Sequence, residues 1–279
     1  MITKEKKEMP SKVWFITGGS SGLGRSFTET ALSRGDSVMV IARNVDTLND
    51  LVLKFPNRLH ALSTDVTDRN AVFASVDRCV EIFGRIDIVI NNAGQFLFGM
   101  VEEVTEEQAM NHMKVNFFGA LWVVQAVTPV LRSQGQGHIL QVTSMGANGG
   151  FASVGLYSAS KSALDSLSEA LAMEVESFGI KVTILQPGGY VTDLFTRGLT
   201  STKENPSYID LRNKLAKLWT SSYDAPVSLA SAVVSKIVDI EEPPKKIVLG
   251  GVAYDQVVEM IDIKLNEYRK WEDLSREAD

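Results

Sequence analysis

A tyrosine and a lysine four residues apart, in Tyr157-Ser158-Ala159-Ser160-Lys161, are the side chains in this sequence best matched for moving a proton. On a helix that spacing sets both on one face. A free phenol titrates near ~10, too high for easy exchange at neutral pH. A nearby ammonium favours the phenolate and lowers that value. A tyrosine so placed can give a proton to a carbonyl oxygen or take one from an alcohol. Ser144, thirteen residues before Tyr157 and at the end of a predicted strand, adds a hydroxyl able to hydrogen-bond a developing alkoxide. Tyr-x-x-x-Lys alone arises by chance in many chains of ordinary composition, and a lone Ser144 is a loop hydroxyl bonding nearby backbone.

Gly18-Gly19-Ser20-Ser21-Gly22-Leu23-Gly24 offers a different chemistry. It follows an apolar run, 13–17, and precedes apolar residues that return at helical spacing from Leu23 to Leu32. A helix N-terminus presents unpaired N–H groups and the positive end of a dipole. Glycines let the backbone turn tightly and approach a pyrophosphate closely. The bland reading is a strand–helix turn that merely uses glycine. Its place after the first strand of a β-α-β series favours the nucleotide reading.

The elements that must hold these residues alternate. Apolar runs at 38–42, 59–63, 86–90, 139–143 and 182–185 predict strands, with a last one at 246–249. Helical patterns fill 45–54, 70–83, 105–131, 157–178 and 227–238. Thr105-Glu106-Glu107-Gln108 reads as a capping box and Gly179 as a stop signal. This order predicts an α/β fold: a doubly wound parallel sheet with right-handed crossovers and helices on both faces. We expect a flexible N-terminal segment at 1–12 and a single catalytic domain at 13–279. Within it, 194–225 is the expected substrate lid and 253–276 a C-terminal helical extension. Tyr254, Val257, Val258, Ile261, Leu265 and Tyr268 mark one face of that helix.

Taken in order, these residues resemble the short-chain dehydrogenase/reductase family. Gly18, Gly22 and Gly24 after Thr17 form G-x-x-x-G-x-G, similar to the family's cofactor loop, with Ser20, Ser21 and Leu23 completing the turn. Asp65-Val66 resembles the pair that contacts the adenine, and Asn91-Asn92-Ala93-Gly94 the stabilising motif after the fourth strand. Asn116, Ser144, Tyr157 and Lys161 match the catalytic tetrad. Pro187-Gly188 with Thr192 resembles the nicotinamide-side loop. The likeness spans about 12–194. It implies a Rossmann-like fold, a nicotinamide cofactor and interconversion of carbonyl and alcohol, with Lys161 also holding the nicotinamide ribose. It further implies that Asn116 supports a water-linked proton path to Lys161, where a plain reading gives it a local backbone bond. Tyr190 departs from the pattern, standing where the family usually carries Ile or Val, and could reshape the nicotinamide side.

Cofactor preference is read at the end of the second strand. Members that prefer NAD place an acidic residue there; this chain has Ala42 and then Arg43. A guanidinium pairs with a 2′-phosphate in bidentate fashion, whereas a carboxylate repels it. NADP(H) is therefore expected over NAD(H), against the plain reading of Arg43 as a solvated charge.

Of 279 residues, 44% are hydrophobic and 22% charged, and the formal net charge is −6. These values suit one large globular domain and oppose a nucleic-acid partner. The one cysteine, Cys79, lies in a helical pattern as a packing residue; it excludes an internal disulfide and a thiolate cluster. His60, His112 and His138 form no ligand motif, so no metal is expected. Segment 1–12 lacks the apolar core of a signal peptide, and no apolar run approaches the ~20 residues that span a bilayer. A cytoplasmic enzyme without membrane contact is expected. Phe96, Phe98, Met145, Phe151, Tyr190, Phe195 and Trp219 are candidates for an apolar pocket, or else core residues. The substrate is then an apolar ketone, aldehyde or secondary alcohol. By resemblance, a homodimer or homotetramer is expected. The competing readings are an NAD-dependent alcohol dehydrogenase and a non-catalytic NAD(P)-sensing protein.

Overall fold

Alternate residues of the first strand serve opposite faces of a sheet, and the rest of the fold follows from that. The structure, a computed structural model, describes residues 11–195, 197–219 and 224–279. In β1 (Val13–Thr17), Trp14 and Ile16 enter one hydrophobic cluster while Val13 and Phe15 enter the other. Then come α1 (Gly22–Ser33), β2 (Ser37–Ala42), α2 (Asn49–Lys54), β3 (Leu59–Ser63), α3 (Arg69–Phe83) and β4 (Ile88–Asn91). The short β5 (Phe96–Phe98) precedes α4 (Glu106–Met113), α5 (Gly119–Gln134), β6 (Gly137–Val142), α6 (Gly155–Val175) and β7 (Ile180–Pro187). The chain continues through β8 (Leu199–Ser201), α7 (Ile209–Trp219), α8 (Val227–Ile237), β9 (Lys246–Leu249), α9 (Gly251–Lys270) and α10 (Glu272–Arg276).

Seven strands form one sheet in the order β3-β2-β1-β4-β6-β7-β9, every pair parallel. Helices α1 and α8 cover one face through Phe27, Leu32, Ala230 and Val234. Helices α3, α5 and α6 cover the other through Val76, Cys79, Val127, Leu131 and Leu171. Both sides of the sheet are thus dry, which is why its strands read as unbroken apolar runs. The Cys79 thiol is pushed up to about 12 by burial, as befits a packing residue.

Several elements differ from the sequence expectation. The helix expected at 105–131 is α4 and α5 joined by a π turn, Lys114–Phe118, and it runs on to Gln134. The stretch Glu106–Gln134 is long and apolar enough, by composition, to cross a membrane. Here Val123, Val127 and Leu131 are spent on the core instead. Helix α6 starts two residues before Tyr157 and gives way at Val175 to a 3-10 turn closed by Gly179, whose φ is +72°. In the expected lid, β8 pairs in parallel with β5, a pairing without a periodic signal because each strand has three residues.

Residues of the expected lid are tied down by one carboxylate. Glu103, nearly inaccessible, accepts hydrogen bonds from the Asn205 N–H, the Thr202 hydroxyl, the Met100 N–H and Arg212 of α7. Burial alone would raise the Glu103 carboxyl, but these four donors bring it down to about 2. Gly99 lies where any Cβ would stand 2.1 Å from the Thr202 hydroxyl oxygen, so the lid presses directly on backbone. Substituting Glu103→Gln leaves the Arg212 guanidinium, 11% exposed, with only the exposed Glu204 carboxylate 3.7 Å away. We expect a loss of about 2 kcal/mol in unfolding free energy, read by urea denaturation at neutral pH.

Candidate active site

The strand order reverses between β1 and β4, and a crevice opens there at the carboxyl ends of the strands. Gly18 and Gly22 take φ of +63° and +50°, which glycine allows without strain. A Cβ on Gly24 would stand 2.2 Å from the Gly18 carbonyl oxygen, so α1 meets the turn at a distance only glycine permits. Ser21 is the N-cap of α1 but its side chain makes no capping bond, and no acidic residue sits in the first turn. The first N–H groups of α1 are therefore free of side-chain caps and fit an anionic pyrophosphate. Ser20 accepts from the Thr47 hydroxyl through its carbonyl, and Leu23 packs on the core.

Asn92 clasps this turn from β4. Its side-chain amide donates to the carbonyls of Thr17 (3.1 Å) and Gly18 (3.2 Å). The N–H groups of Asn92 and Ala93 both donate to the Thr17 hydroxyl at 2.9 Å. Asp65 accepts from the Thr67 N–H and hydroxyl, and Val66 packs where a Cβ on Gly119 would intrude. From the far side, the Gly188 N–H bonds the Leu249 carbonyl as Pro187 ends β7, and Thr192 lies over Gly22. Arg43 emerges at the end of β2, exposed; among the described residues it makes no ion pair.

The proton-transfer group converges beside the same crevice. Ser144 follows β6 and accepts from the Gly146 N–H at 3.0 Å. Its hydroxyl faces the phenol of Tyr157 closely enough to favour the phenolate. Lys161, one turn along α6, donates to the Val142 carbonyl at 3.0 Å, and its ammonium lies 5.9 Å from the Tyr157 ring centre. Gly94 approaches so closely that a Cβ there would stand 3.4 Å from the Lys161 ammonium. The π turn swings Asn116 inward, where its side chain is fully engaged. It accepts from the Gln95 N–H (2.8 Å) and donates to the Gln95 carbonyl (2.9 Å), and it also meets His112 and Ser160. Its side chain thus holds the turn after Gly94, a backbone segment outside its own helix and not the local bond of the plain reading.

Electrostatics correct one expectation. The phenol of Tyr157 is raised, not lowered: burial opposes its charge, and the Ser144 hydrogen bond offsets only part of this. Lys161 is brought down to about 8 by burial, with Asp165, four residues on, pulling the other way. At neutral pH the site holds a neutral phenol beside an ammonium.

The pocket candidates divide. Phe96 lies tilted against Tyr157 with ring centres 4.5 Å apart, and Phe98, Val154 and Leu194 complete an apolar wall. Met145 is half-buried in the turn after Ser144, and Phe151 is partly exposed. Tyr190 belongs instead to the core beneath β9 and α8, so its departure from the family pattern is a packing change. The side chains of Phe195 and Trp219 lie outside the described residues. The sequence reading missed His112, buried on Asn116, and Asp165, which accepts from Gln186 while Gln186 accepts from Asn148 in the turn behind Ser144. Their signal was helical spacing: His112 lies four before Asn116, Asp165 four after Lys161.

The fold and the clasped glycine crevice define a dinucleotide-binding α/β oxidoreductase. Residues 12–202 match the family model for short chain dehydrogenase, and the chain belongs to the short-chain dehydrogenase/reductase family, whose members act on CH–OH and C=O groups with a nicotinamide cofactor. It is 37% identical to "Oxidoreductase BOA17" of Botryotinia fuckeliana over 95% of this chain and 98% of that one. It is 34% identical to a 3-ketodihydrosphingosine reductase of Bacteroides thetaiotaomicron over 87% of this chain and 89% of that one. A short-chain dehydrogenase structure from Streptomyces avermitilis superposes with a TM-score of 0.91 at 37% identity, covering 97% of this chain and 100% of its own.

With Lys161 near 8, its ammonium is full below that pH and lost above it. Carbonyl reduction that depends on this charge should fall as pH rises through about 8. Asp165→Asn removes the charge that sustains it and should move the limb to lower pH, read in kcat/KM profiles.

Proposed function

We propose that the protein is an NADPH-dependent carbonyl reductase for apolar ketones or aldehydes, reversible towards the alcohol. The observation that carries this reading is the meeting of Ser144, Tyr157 and Lys161 beside the glycine crevice. When bound, the nicotinamide would supply hydride to the carbonyl carbon. Tyr157, kept as the phenol by burial, gives its proton to the carbonyl oxygen. With its oxygen held by the Gly146 N–H, Ser144 turns its own proton towards the same oxygen. Lys161 keeps a positive charge beside the phenol, stabilising the phenolate that proton donation leaves behind. Asn116 holds Gly94 and Gln95 against it. At neutral pH Tyr157 carries the proton that reduction uses, and the alcohol direction needs its phenolate, which burial opposes.

Arg43, exposed after Ala42 with no carboxylate at the strand end, supports NADPH. The wall of Phe96, Phe98, Val154 and Leu194 supports an apolar substrate, and the likeness to a reductase named for a long-chain ketone agrees. A reducing cytoplasmic setting suits the single buried Cys79.

Nicotinamide fluorescence titration should give tighter binding of NADPH than NADH, and Arg43→Asp should reverse the order. Tighter NADH binding by the unaltered protein would overturn the cofactor preference. Tyr157→Phe should abolish turnover while leaving NADPH binding intact; near-normal turnover would remove Tyr157 from its role.

A further inference from the structure

Helix α9 leaves the body of the protein with an apolar seam that none of the described residues covers. Its body-facing stripe is Ala253, Val257 and Met260; the first two are buried and Met260 packs by Gly149. The next residue on that stripe is Lys264, and every described residue from 261 to 279 is exposed. About 100° round the helix from this stripe lie Tyr254, Val258, Ile261, Leu265 and Tyr268, each at least 40% exposed. Their spacing alternates four and three residues. That is the 3.5-residue repeat with which one helix meets another along its length.

We propose that this seam is a self-association surface, on which α9 of a second copy of this chain packs antiparallel. Charge flanking the seam selects the partner and its direction. With Tyr254, Ile261 and Tyr268 at d and Val258 and Leu265 at a, the e positions are Asp255, Asp262 and Arg269, and Lys264 is at g. In an antiparallel pair e faces e: Asp255 meets Arg269 of the second copy twice over, while Val258 packs on Tyr268 and Ile261 on Leu265. In a parallel pair g faces e, and Lys264 would meet Arg269, a like-charge contact. Among the described residues neither Asp255 nor Arg269 makes an ion pair within its own chain, so both are free for the other copy. Asp262 and Lys264 each face their own copy near the two-fold axis, an exposed repulsion that salt screens. A lipid surface fits less well, because acidic residues outnumber basic ones over 251–279. Two heptads are short for a free peptide, but this helix is already nucleated and anchored on the body, so pairing does not bear that cost. The root of α9 packs against the turn that follows Ser144, and pairing therefore steadies one wall of the crevice.

The test uses the full-length protein with Asp262→Cys, placed near the proposed axis, and a short bis-maleimide linker; native Cys79 is buried and does not compete. A covalent dimer is expected, and it should be lost when Leu265→Glu is added at an exposed position that does not bear on folding. Asn266→Cys, on the outer face of the helix, should stay monomeric on the gel. Asp255→Arg or Arg269→Asp alone should weaken the cross-link, and both changes in one chain should restore it. The proposal is overturned if Asp262→Cys reacts with a mono-maleimide yet gives no covalent dimer. It is equally overturned if the dimer survives Leu265→Glu, or if the seam instead takes the protein onto phosphatidylcholine vesicles as a monomer.

Discussion

The hydroxyl of Thr17 accepting two backbone N–H groups, while the Asn92 amide returns to the Thr17 and Gly18 carbonyls, is the contact on which the crevice depends. A parallel sheet whose order reverses must part at the carboxyl ends of its central strands, and carbonyls there lose their ladder partners. Asn92 replaces those partners with a side chain. The Gly18 carbonyl is then held where α1 can approach it, and only a glycine at 24 tolerates the distance. The shape of the glycine turn therefore rests on hydrogen bonds from the residues that follow β4 as much as on the glycines themselves.

Around the reacting groups the dominant cost is desolvation. Tyr157 and Lys161 are both buried, and burial pushes each towards its neutral form. What keeps Lys161 charged is a carboxylate one helical turn away. Asp165 is itself held by Gln186 and Lys246, and Gln186 leads on through Asn148 to the turn behind Ser144. The last strand of the sheet is thus linked, through Asp165, Gln186 and Asn148, to the turn that follows Ser144. Strung together in this way, such groups constrain one another's positions more tightly than separate pairs do.

The substrate side is built differently. Glu103 clamps the lid from below by hydrogen bonds, while Phe96 and Leu194 close the wall beside Tyr157 by apolar contact. The two meet where Arg212 of the clamp lies 5.8 Å from the ring centre of Phe98, so the polar contacts back the apolar wall. Helix α9 supports the opposite side with only three residues, which leaves most of its apolar surface available for another chain.

Much of this was legible before any coordinates. Apolar runs of strand length named the sheet, because a doubly covered strand has no polar face to confuse the pattern. Gly18, Gly22, Gly24, Ser144, Tyr157 and Lys161 were legible because local spacing on one turn or one helix is a sequence property. Three features belonged to the tertiary structure. The β5–β8 pairing joins segments a hundred residues apart, each too short to show a period. The direction of the Tyr157 shift depends on burial from several elements at once, which outweighs the lysine that local spacing suggested. And of the apolar face of α9 that was read as a packing face, only Val257 is buried on its own body. Periodicity tells which residues share a face; only the packed chain decides what, if anything, lies against it.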